Sequence, residues 1–374
     1  MYSQKQPDVP PQYVNVSSRN AINRINVYRA RPLTTEFTLP AYTDDFFIVH
    51  PTLDWCSEVT DSQISPKILY LVLSSINEPS QRMLVRTTWM SQLVDERAYF
   101  IIGMPSQYDA KTLEIILKEI SMYNDIIMCR FVDTYHHLPL KTLAITYFAA
   151  RKCPGIDFVV KVDSDIYIFQ NNLYHYLHKY WTLQDENANA KPMLFGHISV
   201  GAPVIRDVGH KWRVPRHMYK PHRYPNYLST SSYVINKPAA MLIANFAYTM
   251  PFIRMEDVLF TGILPHRLNI TLVDGQTQQR LFLPSQVFCP YKLYDCRYRY
   301  SYLSAHVRWP RYMTQYWLTN NFVSIHCKST SKLRFTNRWR YNFMEELIPN
   351  YSMYTRKKLK IALNLSLANA CVKH

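Results

Sequence analysis

Apolar residues in this chain gather into short dense runs from Pro66 onward, separated by amphipathic stretches. Residues 68–73 are continuously apolar, as suits a strand covered on both faces, and the run stops at Ser74-Ser75. Residues 80–90 then predict a helix with Arg82 and Arg86 on one face, four positions apart. A strand over 98–104 follows. A helix over 110–122 carries Leu113, Ile116, Leu117 and Ile120 at helical spacing. A third strand over 125–131 and a helix over 140–151 lead to the most telling stretch. Residues 156–162 are almost wholly apolar and β-branched, and they run straight into Asp163 and Asp165. A second apolar run, 166–169, comes directly after. Strands alternating with helices imply βαβ crossovers, hence an α/β fold built on a mainly parallel sheet. Ligands of such sheets bind beyond the C-terminal strand ends, where Ser74-Ser75 and the two aspartates both fall.

Beyond Asn171 the pattern predicts a helix to about Trp181, a polar loop over 185–191 and a strand over 193–198. Residues 205–227 are basic, aromatic and Pro-punctuated, with Lys211, Trp212, Tyr219, Tyr224 and Tyr227. Aromatics in such a loop can stack on a sugar face or pack the loop itself. A strand over 231–236 precedes an apolar helix over 239–248, too short to span a bilayer. Glu256 and Asp257 then open a helix. Acids there serve as partners of the helix dipole, or as a general base where they face a pocket. A strand over 270–273 follows. Residues 1–65 are Pro-rich and aperiodic and read as an arm or stem, tied down near Trp55-Cys56. Residues 66–320 read as the folded domain and 321–374 as a basic extension.

Composition narrows the chemistry. Hydrophobic residues make up 48% of the 374, enough for a large core and against global disorder. Glycine occurs 7 times, and no Gly-rich phosphate loop is present. The formal net charge of +16 suits an anionic substrate or surface. Nucleic acid ranks low, because no helix-turn-helix, zinc-finger or RNA-recognition signature accompanies the charge. The 7 cysteines contain no Cys-x-x-Cys pair, and Cys289 and Cys296 are close enough to bridge a short loop. Asn-x-Ser/Thr sequons at Asn15, Asn269, Asn350 and Asn364 point toward a secretory compartment. No apolar run is long enough for a transmembrane helix, and the start has no signal-peptide core, so membrane association requires an anchor beyond this sequence.

Two carboxylates on the loop after a strand can hold a divalent ion, and an ion held there can hold a diphosphate. Several ordered motifs surround that pair. They are Arg82-x-x-x-Arg86-x-Thr88-Trp89; Phe131-x-Asp133-x-Tyr135 with Leu138-x-Leu140-Lys141-Thr142; and Cys153-Pro154 with Lys161-x-Asp163-Ser164-Asp165. Next come Tyr224-Pro225-x-Tyr227 with Tyr233-Val234, then Glu256-Asp257-Val258, and last His306 with Arg308, Pro310, Met313, Tyr316 and Trp317. In this order, over residues 66–317, the chain resembles the β1,3-glycosyltransferases of the galactosyltransferase type, glycosyltransferase family 31.

The resemblance implies a GT-A-like single catalytic domain, a UDP-sugar donor, Mn²⁺ or Mg²⁺, and inverting transfer of a hexose or N-acetylhexosamine. The acceptor would be a hydroxyl of a glycan on protein or lipid, and the linkage β1,3, in the Golgi lumen or at its membrane. By position it implies Asp165 and His306 as metal ligands, with Lys161, Asp163 and Ser164 at the nucleotide sugar. Asp257 is implied as the base, with Glu256 as its alternative, and Arg82 or Arg86 as charge near the diphosphate. Two departures stand out. Ser164 replaces the family's middle aspartate, and Thr230-Ser231-Ser232 replaces glycines before Tyr233. They make a non-catalytic protein of the same fold, binding a sugar or a partner, the alternative reading.

Overall fold

The computed structural model describes residues 47–50, 66–105, 109–153, 155–185, 191–229, 231–250, 252–275, 282–283, 303–307, 313–314, 316–318 and 320–321. The strands of the first half are β1 (Phe47–Val49), β2 (Ile68–Leu73), β3 (Arg97–Met104), β4 (Ile126–Val132), β5 (Phe158–Asp163) and β6 (Ile166–Ile168). They are interleaved with helices α1 (Pro79–Thr87), α2 (Ala110–Tyr123) and α3 (Leu138–Tyr147). Then come α4 (Gln170–Asp185), β7 (Met193–Gly196), β8 (Ile198–Ser199), β9 (Tyr227–Leu228), β10 (Ser232–Asn236) and α5 (Lys237–Phe246). A helix of mixed pitch follows: α6 (Glu256–Val258), a π-helical turn (Leu259–Ile263) and α7 (Leu264–Leu268). The last strands are β11 (Thr271–Asp274), β12 (Phe282–Leu283) and β13 (Ser304–His306).

Eight strands form one sheet in the order β1-β4-β3-β2-β5-β10-β7-β11. Strands β4, β3, β2 and β5 run parallel, as the alternation predicts. β10 is antiparallel to both β5 and β7, β11 is parallel to β7, and β1 closes the far edge antiparallel to β4. All of β2 is buried, because successive side chains feed two cores. Leu69, Leu71 and Leu73 pack with Ile101, Leu143 and Phe148 on one side. Ile68, Tyr70 and Val72 pack with Trp89, Phe100, Ile116 and Tyr167 on the other. A smaller sheet, β12-β13-β6, joins the second of these layers.

Capping explains where several helices begin and end. Asp109 accepts from the Thr112 amide at 2.9 Å to start α2, and Asn124, at φ 48°, turns the chain out of it. Asn236 does the same for α5 through the Ala239 amide at 3.2 Å, so that helix starts before the residue 239 expected from the apolar pattern. The helix expected over 80–90 stops at Thr87 and tightens into a 3₁₀ turn, Trp89–Gln92. The one expected over 140–151 widens after Tyr147 into a π-helical turn, Phe148–Lys152.

The folded unit also reaches back into the segment read as an arm. β1 pairs with β4, and Phe47 sets its ring 5.6 Å from that of Phe148. Trp55-Cys56, the Cys289–Cys296 spacing and residues 322–374 lie outside the described residues. Cys129 is buried and free, and Cys153 is disulfide-bonded. Among the described residues no helix is long and apolar enough to cross a membrane.

Candidate active site

From β2 the chain proceeds outward to β3 and β4 on one side, while β5 pairs on the other. That reversal of strand order is where open α/β sheets leave a crevice at their C-terminal ends. The register sets Leu73 opposite Asp163, so Ser74-Ser75 and Asp163-Ser164-Asp165 leave the sheet side by side. The Ser164 amide donates to the Leu73 carbonyl at 3.0 Å. Gln81 Nε2 donates to the Ser164 carbonyl at 2.8 Å, and the Ser164 hydroxyl lies 3.5 Å from Glu78 Oε2. The hydroxyl that replaces the family's middle carboxylate thus has another carboxylate beside it.

Asp165 sits in the turn between β5 and β6. β6 pairs antiparallel with β13, which sets His306 opposite Ile166, and the Val307 amide donates to the Asp165 carbonyl at 2.7 Å. These bonds bring His306 Nε2 to 2.9 Å from Asp165 Oδ2, across 141 residues of sequence. The hydrogen bond to Asp165 raises the imidazole's pKa. Asp165 Oδ1 and His306 Nδ1 are buried with no hydrogen-bond partner. Among the described residues no group of three or more His, Cys, Asp or Glu is disposed to hold a metal. An unpartnered carboxylate oxygen next to an imidazole still fits Mg²⁺ or Mn²⁺ bound in the manner of phosphate-carrying sites. There one or two protein ligands suffice, and phosphate oxygens and water complete the shell.

One pleat back on the same face lies Lys161, buried, with Nζ 2.8 Å from Asp163 Oδ1 and 3.4 Å from Glu256 Oε2. Burial works against its charge, but Asp163 and Glu256 outweigh that effect and hold the ammonium's pKa above its ordinary value. Burial likewise raises the Asp163 carboxyl, against the pull of Lys161. Glu256 Oε1 accepts from Thr142 Oγ1 at 2.8 Å and from the Tyr233 hydroxyl at 2.6 Å. With Lys161 on its other oxygen, Glu256 is fully engaged. Asp257 is set differently. Among the described residues its Oδ1 accepts from the Val258 amide at 2.8 Å, and burial followed by the neighbouring Glu256 charge pushes its pKa up to about 6. The two acids expected as alternatives therefore stand in unlike surroundings.

Arg82 and Arg86 direct their guanidiniums to carboxylates of the protein itself. Arg82 is wholly buried, bonded through Nε and Nη2 to Glu119 at 2.8 and 2.6 Å, and through Nη1 to Ser74 Oγ and the Ser75 carbonyl. Arg86 grips both oxygens of Asp125 at 2.7 Å, and Glu119 at 2.8 Å. Their forks are filled by carboxylates of α2 and of the turn that follows it. Arg82 accordingly shapes the crevice through the Ser74-Ser75 loop, and direct contact with a diphosphate is not what this geometry offers. Lys141 braces the same loop, donating to the Ser74 carbonyl at 2.7 Å and to Asp133 Oδ1 at 2.8 Å. In the sequence Asp133, Lys141, Thr142 and Tyr233 stand out only as motif positions. Their spacing from the aspartates gave no sign that they clamp Glu256 and the β2 loop, and Glu119 lay in an unremarkable helix.

The galactosyltransferase family model matches residues 80–276. The chain is 31% identical over 259 residues to beta-1,3-galactosyltransferase 5 of Pan troglodytes, covering 68% of this chain and 82% of that protein. It is 28% identical over 232 residues to lactosylceramide 1,3-N-acetyl-beta-D-glucosaminyltransferase of Mus musculus, covering 60% of this chain and 59% of that protein. To beta-1,3-galactosyltransferase 1 of Mus musculus it is 29% identical over 209 residues, 55% of this chain and 61% of that protein. With the matched region spanning more than half of the chain and every strand from β3 to β11, this protein is a glycosyltransferase and belongs to the galactosyltransferase family.

Proposed function

We propose that this protein transfers a hexose or N-acetylhexosamine from a UDP-sugar to a glycan hydroxyl, forming a β1,3 linkage with inversion. The observation that carries the reading is the convergence of Asp163, Asp165 and His306 with Lys161, Glu256 and Asp257 at the strand-order reversal. Asp165 and His306 would hold Mn²⁺ or Mg²⁺, which when bound supplies positive charge to a diphosphate leaving group. Asp257 takes the proton of the acceptor hydroxyl as its oxygen attacks the anomeric carbon from the face opposite the departing UDP. A carboxylate with a pKa of about 6 is ionised at neutral pH and is a stronger base than an exposed aspartate. Lys161 keeps Asp163 and Glu256 from crowding that site with uncompensated negative charge. Family membership supports an acceptor on glycoprotein or glycolipid and a place in the Golgi lumen or at its membrane.

Calorimetry of UDP with Mn²⁺ or with EDTA, alongside turnover of UDP-sugars on a panel of acceptors, tests this reading. Asp257→Asn should lower transfer by a factor on the order of 10² to 10⁴ while UDP binding stays intact. Asp165→Ala should abolish the metal-dependent part of UDP binding. Loss of UDP binding in both variants would remove the base assignment. Metal-dependent binding without turnover on any acceptor would favour a non-catalytic member of the fold.

A further inference from the structure

The loop between β8 and β9 is strongly basic and internally hydrogen-bonded, with no role in the chemistry described so far. Residues 201–227 hold six Lys or Arg, three His and a single acid, Asp207. Arg206 organises the loop from within, donating to the carbonyls of Val214, Tyr219 and Pro221 at 2.5, 2.8 and 2.6 Å. Val204 and His222 pair their backbones at 2.9 Å, as do Tyr224 and Ala202, and a bridge joins Pro203 to Arg223. Arg213 Nε also donates to the Arg206 carbonyl, at 3.2 Å, and Arg223 Nη1 donates to the Gly201 carbonyl, so guanidiniums scaffold the loop, while Lys211, Arg213, Arg216, Lys220 and Arg223 are all exposed. Trp212 stands among them with 47% of its surface exposed.

The loop is anchored beside the candidate base. The Leu228 amide donates to Thr261 Oγ1 at 2.8 Å, and Thr261 Oγ1 donates to the Asp257 carbonyl at 2.5 Å. Tyr227 packs so tightly on the Asp257 helix that a Cβ on Gly262 would lie 2.8 Å from its own Cβ. At the other side Lys211 Nζ lies 4.4 Å from the centre of the Tyr135 ring, on the turn leading into α3. The loop therefore runs from the Asp257 helix to the α3 turn.

Exposed cations spaced around an exposed indole, on a preformed loop, match an oligosaccharide bearing anionic groups. The cations meet sulfate or carboxylate, and the indole meets a sugar face. We propose that residues 203–223 form an acceptor subsite for a negatively charged glycan, bound through Lys211, Arg213 and Arg216 with Trp212 beneath a sugar ring. The word acceptor rests on the transferase reading above, and the binding itself does not.

Three hexasaccharides test the proposal on the full chain by calorimetry: heparin-derived, hyaluronan-derived and maltohexaose, carrying sulfate with carboxylate, carboxylate alone and no charge. The two anionic sugars should bind and maltohexaose should bind more weakly. The triple variant Lys211→Ala, Arg213→Ala, Arg216→Ala should weaken the anionic sugars by about tenfold, three exposed contacts each contributing a fraction of a decade. Trp212→Ala should weaken all three sugars alike. Preference for heparin over hyaluronan would identify sulfate, and equal binding would identify carboxylate. Equal affinity for maltohexaose, no change in the triple variant, or equally tight binding of a charge-matched single-stranded RNA would overturn the proposal. UDP binding with Mn²⁺ in the triple variant should match wild type, which excludes misfolding as the cause. Transfer to neutral acceptors with silent loop variants would sink this subsite and leave the transferase intact. Charge-dependent sugar binding without any transfer would do the reverse.

Discussion

Glu256 and Asp257 share a helical turn, yet hydrogen bonds from Thr142 and Tyr233 and the charge of Lys161 saturate the first and leave the second with a raised pKa. The expected rate profile follows. Below about pH 6 Asp257 takes up a proton and loses its function as a base, so kcat/KM should fall as pH drops through that value and level off above it. Glu256→Gln removes the neighbouring like charge, which lowers the Asp257 pKa and should move that acid limb to lower pH. A limb that stays in place in the variant would assign it to another group. The residues that the fold brings together were largely legible in sequence, because Asp163, Asp165, Asp257 and His306 fall in motifs whose order is distinctive. What separates Asp257 from Glu256 was not legible. It depends on Thr142, 114 residues away, and no local pattern reports such a partner.

At the scale of elements, periodicity gave the alternating strands and helices of the first half, because apolar runs there are dense and separated by amphipathic stretches. It missed β1 because three residues in a Pro-rich stretch carry no period. It also missed the antiparallel setting of β10, since strand direction is decided by the crossover and not by composition. A feature legible only in three dimensions sits at Gly103. There the β3–β4 register shifts, and the Gly103 amide donates to Asp133 Oδ2 at 2.9 Å. A Cβ at this position would meet the Phe131 carbonyl oxygen at 2.7 Å and the Asp133 amide nitrogen at 2.9 Å, both backbone atoms that cannot swing aside. Gly103→Ala should therefore cost roughly 1–3 kcal/mol in denaturant unfolding. It should also weaken UDP binding, because Asp133 holds Lys141 and the Ile76 amide on the β2 loop. A neutral outcome on both counts would mean that the β4 edge relaxes freely.

Across the whole molecule, β1 shields the outer edge of β4, and Phe47 fills the groove against Phe148 and Tyr147. Phe47→Ala should destabilise the fold by about 3 kcal/mol. Removing residues 1–50 should expose the β4 edge and promote association between chains, which light scattering would detect. The net charge of +16 agrees with a partner of opposite sign, and the loop beside the candidate base holds six Lys or Arg against a single acid. The small β12-β13-β6 sheet has a consequence in time. A chain growing from the ribosome has made all eight strands of the main sheet once residue 274 emerges, yet it holds Asp165 without His306 until β13 is synthesised and docks on β6. Chains truncated near residue 290 and released from the ribosome should resist protease over the main sheet and still fail to retain UDP with Mn²⁺. Competence would then arrive as a late, separate step, and failure of β13 to dock would leave a well-formed body that cannot load its donor.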